Sequence, residues 1–291
     1  MKNNLKILFF GTPQFARDTL DTLESKGFVP ALVVTQEDKP SGRKMLLTPS
    51  PVKEWALARN IPILQPKTLR NDATKEEIAS FGPFDVAVVA SYGKIIPQEI
   101  LDLPHKGCLN IHPSLLPRHR GASPIQSTIL EGDTFGVTII RLDADMDHGP
   151  ILAQKEIPES TLSSSAYRDE AEKVLAHEGA LLLSSVLADI QTADVTGTAQ
   201  DHTQATFCKK IQKADGLVDL TVDDPEGIVR KVRAFVGWPS TFFMTQYNNS
   251  VIRVQITKAH QEEGRLVITH VKPEGKKEIA YEDFLRGNHS R

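Results

Sequence analysis

The segment Gly107-Cys108-Leu109-Asn110-Ile111-His112-Pro113 holds the residues of this chain best suited to chemistry. On a strand, side chains two apart share a face, so Asn110 and His112 project together, roughly 7 Å apart. Pro113 cannot continue a central strand's ladder, which puts His112 at the strand's carboxyl end. In an open α/β sheet that end lines the ligand crevice. A second strand, Gly136 to Leu142, runs out into Asp143-Ala144-Asp145-Met146-Asp147-His148-Gly149 and brings three carboxylates to the same kind of edge. Asn, His and Asp suit acyl transfer between amines. The amide and an imidazolium donate to a carbonyl oxygen that gains charge. A carboxylate supports the imidazole and receives or relays the amine proton. No covalent nucleophile is needed, because a neutral amine attacks by itself. An isolated Asn-x-His is more often structural than catalytic, and His119 and His148 compete with His112 on composition alone.

The elements that must position these residues read as an α/β fold. An apolar run, Leu5 to Phe10, ends at Gly11; a helical pattern through Phe15, Leu20 and Leu23 stops at Lys26-Gly27; Val29 to Thr35 is a second strand. Strand, helix and strand in about 30 residues make a βαβ unit and hence a parallel sheet. Further strands are predicted at Asp85–Ala90, Cys108–His112, Gly136–Leu142 and Ile151–Ile157. A helix is predicted to start at Ser50-Pro51, and a long one over Ser163–Leu187. The stretch Gln191–Thr206 is polar and reads as a linker. After it come a helix opening at Asp223-Asp224-Pro225 and short strands split by Asn248-Asn249 and Glu262-Glu263-Gly264, a pattern of a small β-barrel or sandwich. The reading is a catalytic domain over 1–190, a linker over 191–206 and a second domain over 207–291. Phe235 and Trp238 are expected in the core of the latter.

Composition narrows the function classes. With 291 residues, 40% hydrophobic and 24% charged, the chain is an ordinary globular one, which excludes disordered and fibrous classes. Two cysteines cannot build a disulfide framework or a four-cysteine zinc site. No HExxH or paired CxxC occurs, so no metal is expected. No apolar run approaches the roughly 20 residues of a membrane span. The amino terminus runs straight into a strand and not a signal peptide, so the expected compartment is the cytoplasm. Net charge is −3 overall, yet residues 207–291 carry 14 Lys and Arg against 11 Asp and Glu. The first βα turn, Gly11-Thr12-Pro13-Gln14-Phe15, has one glycine where a dinucleotide fingerprint needs three, so NAD is not expected.

Asn110-x-His112, Ser114-Leu115-Leu116-Pro117-x-x-Arg120-Gly121 and Asp147-x-Gly149 together resemble the signature of the 10-formyltetrahydrofolate-dependent formyltransferases. The resemblance implies Asn110, His112 and Asp147 as the catalytic trio, with Asp147 chosen over Asp143 and Asp145 because it precedes x-Gly. The family's usual Thr or Ser at x is His148 here. Ser114, Leu115, Leu116 and Pro117 would serve the folate site. So would Ser91, Tyr92, Gly93 and Ile95, within Ala90-Ser91-Tyr92-Gly93-Lys94-Ile95-Ile96-Pro97.

Other segments resemble the methionyl-tRNA branch of that family. The loop Asp38–Met45, basic and exposed by composition, is similar to the insertion that grips the acceptor arm, which implies tRNA contacts at Arg43 and Lys44. Lys209-Lys210-Ile211-x-Lys213-x-Asp215-Gly216, Arg233-Ala234-Phe235-x-x-Trp238-Pro239 and Tyr281–Gly287 are similar to its carboxy-terminal domain. That resemblance implies a fold like an oligonucleotide-binding barrel, with Lys209, Lys210, Arg230 and Arg233 as phosphate contacts. The implied activity is formylation of methionyl-initiator-tRNA by a monomer, with 10-formyltetrahydrofolate as cosubstrate. A sugar-nucleotide N-formyltransferase is the alternative.

Overall fold

A computed structural model of the chain describes residues 4–41, 46–247 and 250–289. Its contacts form two units. One comprises Met1–Gly121, Phe135–Thr161 and Glu172–Phe207; the other comprises Ala122–Thr134, Leu162–Ala171 and Cys208–Arg291. The division is not the one read from the sequence, because two short segments from the first 190 residues pack with the carboxy-terminal part.

The first unit opens on β1 (Ile7–Gly11), whose residues are all buried. A Cβ at Gly11 would meet Phe9 and Ala16 at 2.6 and 2.7 Å, so glycine is what lets the chain turn into α1 (Gln14–Ser25) there. β2 (Leu32–Val34) completes the βαβ unit. β3 (Lys39–Ser41) and β4 (Leu46–Thr48) pair antiparallel where the sequence suggests an open loop. Arg43 and Lys44 lie outside the described residues. α2 (Pro51–Leu57) starts as expected, with the Ser50 hydroxyl accepting the Lys53 N–H and proline in the first turn. There follow β5 (Ile63–Leu64), α3 (Asp72–Ser80), β6 (Val86–Ala90), the short α4 (Gln98–Leu101), β7 (Cys108–His112) and β8 (Arg120–Gly121). After α5 (Pro124–Glu131), which belongs to the second unit, come β9 (Gly136–Arg141), β10 (Ile151–Glu156), α6 (Arg168–Thr192), whose first turn counts with the second unit, and β11 (Phe207–Cys208), at the boundary between the two.

The main sheet has the order β10-β9-β7-β6-β1-β2-β5. From β7 to β5 every pairing is parallel, as the βαβ pattern requires. β9 runs antiparallel to β7, with Leu109 opposite Arg141 and His112 opposite Thr138. This corrects the expected route of the carboxylates: the carboxyl end of β9 lies beside the start of β7, not beside His112. Asp147 reaches the histidine on a loop that doubles back, closed where the Arg141 N–H donates to the Pro150 carbonyl at 3.0 Å.

α6 is long and apolar enough, by length and composition, to cross a bilayer. Its residues Leu175, Ala176, Ala180, Leu183, Leu187 and Ile190 recur at helical spacing and are buried, the pattern of a core helix. The segment after it is not a linker. Thr198 and Ile151 exchange backbone hydrogen bonds at 2.8 Å, and Gln200 is buried.

In the second unit, α7 (Pro225–Ala234) is capped by the Asp224 carboxylate on the Gly227 N–H at 2.8 Å. The strands β12 (Thr241–Tyr247), β13 (Ser250–Glu262), β14 (Arg265–Pro273) and β15 (Ile279–Ala280) form an antiparallel sheet in chain order, followed by α8 (Tyr281–His289). Leu217 bridges to Phe242 on the β12 side. Ile228 and Val232 of α7 and Phe284 of α8 join Val254, Ile256 and Val271 in its core. Phe235 is buried as expected, but Trp238 is 56% exposed and not a core residue.

Candidate active site

Asn110 and His112 lie on one face of β7, and Asp147 comes down on that face. The Asn110 amide donates to Asp147 Oδ1 at 3.4 Å, and His112 Nδ1 lies 3.5 Å from the same oxygen. The other carboxylate oxygen accepts the Gly121 N–H at 2.8 Å. His112 Nε2 is 3.0 Å from the His119 carbonyl. A carbonyl only accepts, so Nε2 carries the proton of that bond and Nδ1 is the ring atom that faces Asp147. His112 and Asp147 are 3% and 8% exposed, and half-buried Asn110 gives the trio its opening to solvent.

Asp147 sits at φ 51°, in the left-handed region where an aspartate is uncommon. Burial alone would raise its pKa. The His112 imidazole, the Gly121 N–H and the Arg120 guanidinium outweigh burial and hold the carboxyl below its ordinary value. Of the three carboxylates in the loop, Asp145 is exposed and Asp143 pairs with His148 Nδ1 at 2.8 Å. His148 also stacks on His202, with ring centroids 4.2 Å apart, so its ring is engaged by Asp143 and His202. His119 serves through its backbone.

The turn from Ser114 to Gly121 is held from several sides. The Ser114 hydroxyl donates to the Arg118 carbonyl at 2.9 Å, and the Thr138 hydroxyl donates to the Ser114 carbonyl at 2.6 Å. The Gln154 amide donates to the Leu116 carbonyl at 2.8 Å. His119 N–H donates to Thr206 Oγ1 at 2.8 Å, and Arg120 N–H to the Thr206 carbonyl at 2.9 Å. The turn is thus a built wall beside the trio, and Thr138, Gln154, Gln200 and Thr206 are contributors that the sequence reading missed. A run of polar residues with β-spacing or linker composition carried no signal of it.

In the 91–95 loop, Ser91 and Gly93 take positive φ angles of 48° and 77°, and Ile95 is exposed. Tyr92 differs from the expectation for a ligand-facing side chain. Its ring packs edge-on to Phe10 in the core, while its carbonyl accepts from Thr12 Oγ1 and Gln36 Nε2 at 3.1 and 2.7 Å. Among the described residues the buried Tyr92 hydroxyl has no hydrogen-bond partner, and desolvation pushes its pKa up to about 12. Tyr92→Phe should therefore leave turnover unchanged and raise thermal stability, by about 1 kcal/mol for the removed desolvation cost. Calorimetry with a rate assay checks both.

Lys209 and Lys210 are exposed. Arg230 and Arg233 are half-buried and committed inside the second unit. Arg230 donates to the Leu130 carbonyl at 3.3 Å and pairs with Glu226; Arg233 donates to the Ser164 carbonyl at 2.7 Å. Part of each guanidinium is thus engaged with protein, while both side chains keep some exposure. Among the described residues, then, the lysines are the more exposed of the expected phosphate contacts.

Residues 5–186 match the family described as Formyl transferase. The chain is 42% identical over 252 residues to a methionyl-tRNA formyltransferase of Chloroflexus aggregans, covering 86% of this chain and 79% of that one. It is 37% identical to another, of Bacillus licheniformis, covering 97% and 95%. The fold is similar to a sugar N-formyltransferase from Shewanella sp, with a TM-score of 0.62, 17% identity and coverage of 89% and 99%. It is also similar to HypX from Aquifex aeolicus in complex with tetrahydrofolic acid, with a TM-score of 0.60, 17% identity and coverage of 97% and 47%. A parallel-rich sheet bearing an Asn-His-Asp trio is thus the frame of a formyl-transferring enzyme. The chain belongs to the formyl transferase family, in its methionyl-tRNA formyltransferase branch.

Proposed function

We propose that the chain transfers the formyl group of 10-formyltetrahydrofolate to the free amine of methionyl-initiator-tRNA, giving N-formylmethionyl-tRNA for translation initiation. It acts as a monomer in the cytoplasm. The observation that carries the reading is the convergence of Asn110, His112 and Asp147 within 3.5 Å on one face of β7. The folate supplies a formyl carbon on a nitrogen leaving group, open to attack by the methionyl amine. Asn110 Nδ2 donates to the formyl oxygen as it gains charge, and the His112 ring, positively charged when Nδ1 is protonated beside Asp147, adds its field to the same stabilisation. Asp147, kept ionised, orients the ring and takes the amine proton for return to the departing nitrogen.

The donor set fits a folate. Backbone groups of Ser91, Gly93 and Ile95, in an exposed loop, suit the alternating donors and acceptors of a pterin, and the Ser114–Pro117 turn lies next to His112 along the chain. Lys209 and Lys210, with Arg43 and Lys44, take the tRNA backbone.

Mass-resolved production of formyl-methionyl-tRNA by the purified chain, with an amino-sugar nucleotide as competing acceptor, tests the proposal. Product on the tRNA alone supports it, and product on the sugar alone overturns it. In tRNA binding, Lys209→Ala or Lys210→Ala should each lower the salt slope by about one. Arg230→Ala should leave the slope unchanged and lower the melting temperature, since it removes the Leu130 contact.

A further inference from the structure

The proposed trio does not hold itself together: the Asp147 loop is tied down by a residue some fifty positions further along the chain. Gln200 is 5% exposed and uses its whole amide. Its Nε2 donates to the Asp147 carbonyl at 2.9 Å and to the Gly149 carbonyl at 2.8 Å. Its Oε1 accepts from Arg120 Nε and Nη2 at 3.1 and 2.6 Å. Arg120 precedes Gly121, whose N–H binds the Asp147 carboxylate. The amide therefore links the loop that carries the carboxylate to the turn that supplies its partner.

The same segment grips that turn a second time, at Thr206, through the His119 and Arg120 N–H groups and the Pro117 carbonyl. His119 is the residue whose carbonyl orients the His112 ring. A single strap, Thr198–Thr206, thus sets both the imidazole and the carboxylate. The residues matched to the family end at 186, before it begins.

We propose that Gln200 is a positioning residue for formyl transfer, holding Asp147 in its left-handed conformation through two carbonyl hydrogen bonds while its oxygen anchors Arg120. Only an amide in this orientation does both. A left-handed non-glycine residue persists when its surroundings over-determine it, and here the two donors from Gln200 lie on its own carbonyl and on that of Gly149. The Arg141–Pro150 hydrogen bond closes the loop at its base, and the Gln200 bonds act on the Asp147 carbonyl itself.

The inference rests on the proposed function, and the test separates the two. Gln200→Glu keeps size and the Arg120 contact but aims an acceptor at two carbonyls; Gln200→Met keeps length and removes every hydrogen bond. Each should lower kcat by about 100-fold, the cost of misplacing a reacting group by roughly 1 Å. KM for folate and for methionyl-tRNA should stay within about twofold, because Gln200 is 5% exposed and its amide is taken up by protein groups. Turnover should respond to Gln200→Met far less in an Asp147→Asn background, where there is no carboxylate left to position. If the parent makes no formyl-methionyl-tRNA, the functional reading fails. If the parent is active and Gln200→Glu matches it, satisfying Arg120 was all that mattered and the positioning role is overturned. It is also overturned if lost activity only follows lost folded protein, or if the two substitutions are additive.

Discussion

Asp147→Asn should lose about 10²- to 10⁴-fold in the rate of formyl transfer while folate still binds and the chain stays folded. The amide keeps the shape of the carboxylate and can still accept the Gly121 N–H, so the turn has no reason to move. What is lost is the negative charge 3.5 Å from His112 Nδ1 and, among the described residues, the one buried carboxylate, the proposed acceptor of the amine proton. Single-turnover assays with saturating substrates isolate this step; a rate within threefold of the parent would remove Asp147 from the reaction.

The same substitution has a signature in stability. The folded carboxyl lies below its ordinary 3.8, so the unfolded chain binds that proton more readily. The stabilisation is fully present above the unfolded value and is lost as pH falls through the lower folded one. Between roughly pH 5 and pH 3 the parent should therefore lose more melting temperature than Asp147→Asn does. At neutral pH the carboxylate is ionised and no activity limb there belongs to it.

How far the sequence could be read depended on whether a feature was local. β7 came out with its observed bounds because Gly107 and Pro113 bracket it with residues that interrupt a central strand. The trio was legible from residue types once the long signature was matched. Its assembly was not, because strand direction is a tertiary property: nothing within Gly136–Arg141 says that it runs against β7. Gln191–Thr206 looked like a linker since its polar residues have no apolar stripe. Their partners are backbone groups of distant turns, which composition does not record. Arg230 and Arg233 share a face by spacing alone, and only the fold shows that this face meets the carbonyls of Leu130 and Ser164. Trp238 misled in the opposite sense, an apolar side chain left largely open.

Gly149→Ala should be as damaging as removing the carboxylate, by the opposite route. A Cβ at this position would stand 1.9 Å from the Arg141 carbonyl oxygen and 3.1 Å from its carbon. Backbone is in the way, so the loop itself must lift. Lifting it strains the Arg141–Pro150 hydrogen bond and both bonds from Gln200, which are what bring Asp147 back over the sheet. Overpacking of this kind costs about 1–3 kcal/mol, a fall of roughly 2–12 °C in melting temperature for a chain of this size. The retained but displaced carboxylate should lower kcat about 100-fold. Asp145→Ala, exposed in the same loop, should change neither quantity and serves as the control. Asp147→Asn keeps the position and discards the charge; Gly149→Ala keeps the charge and discards the position. Equal losses from the two would mean that the x-Gly of the signature exists to seat the carboxylate. A Gly149→Ala protein with the parent's melting temperature and rate would mean that the loop accommodates a methyl group and that the close approach to Arg141 has no bearing on catalysis.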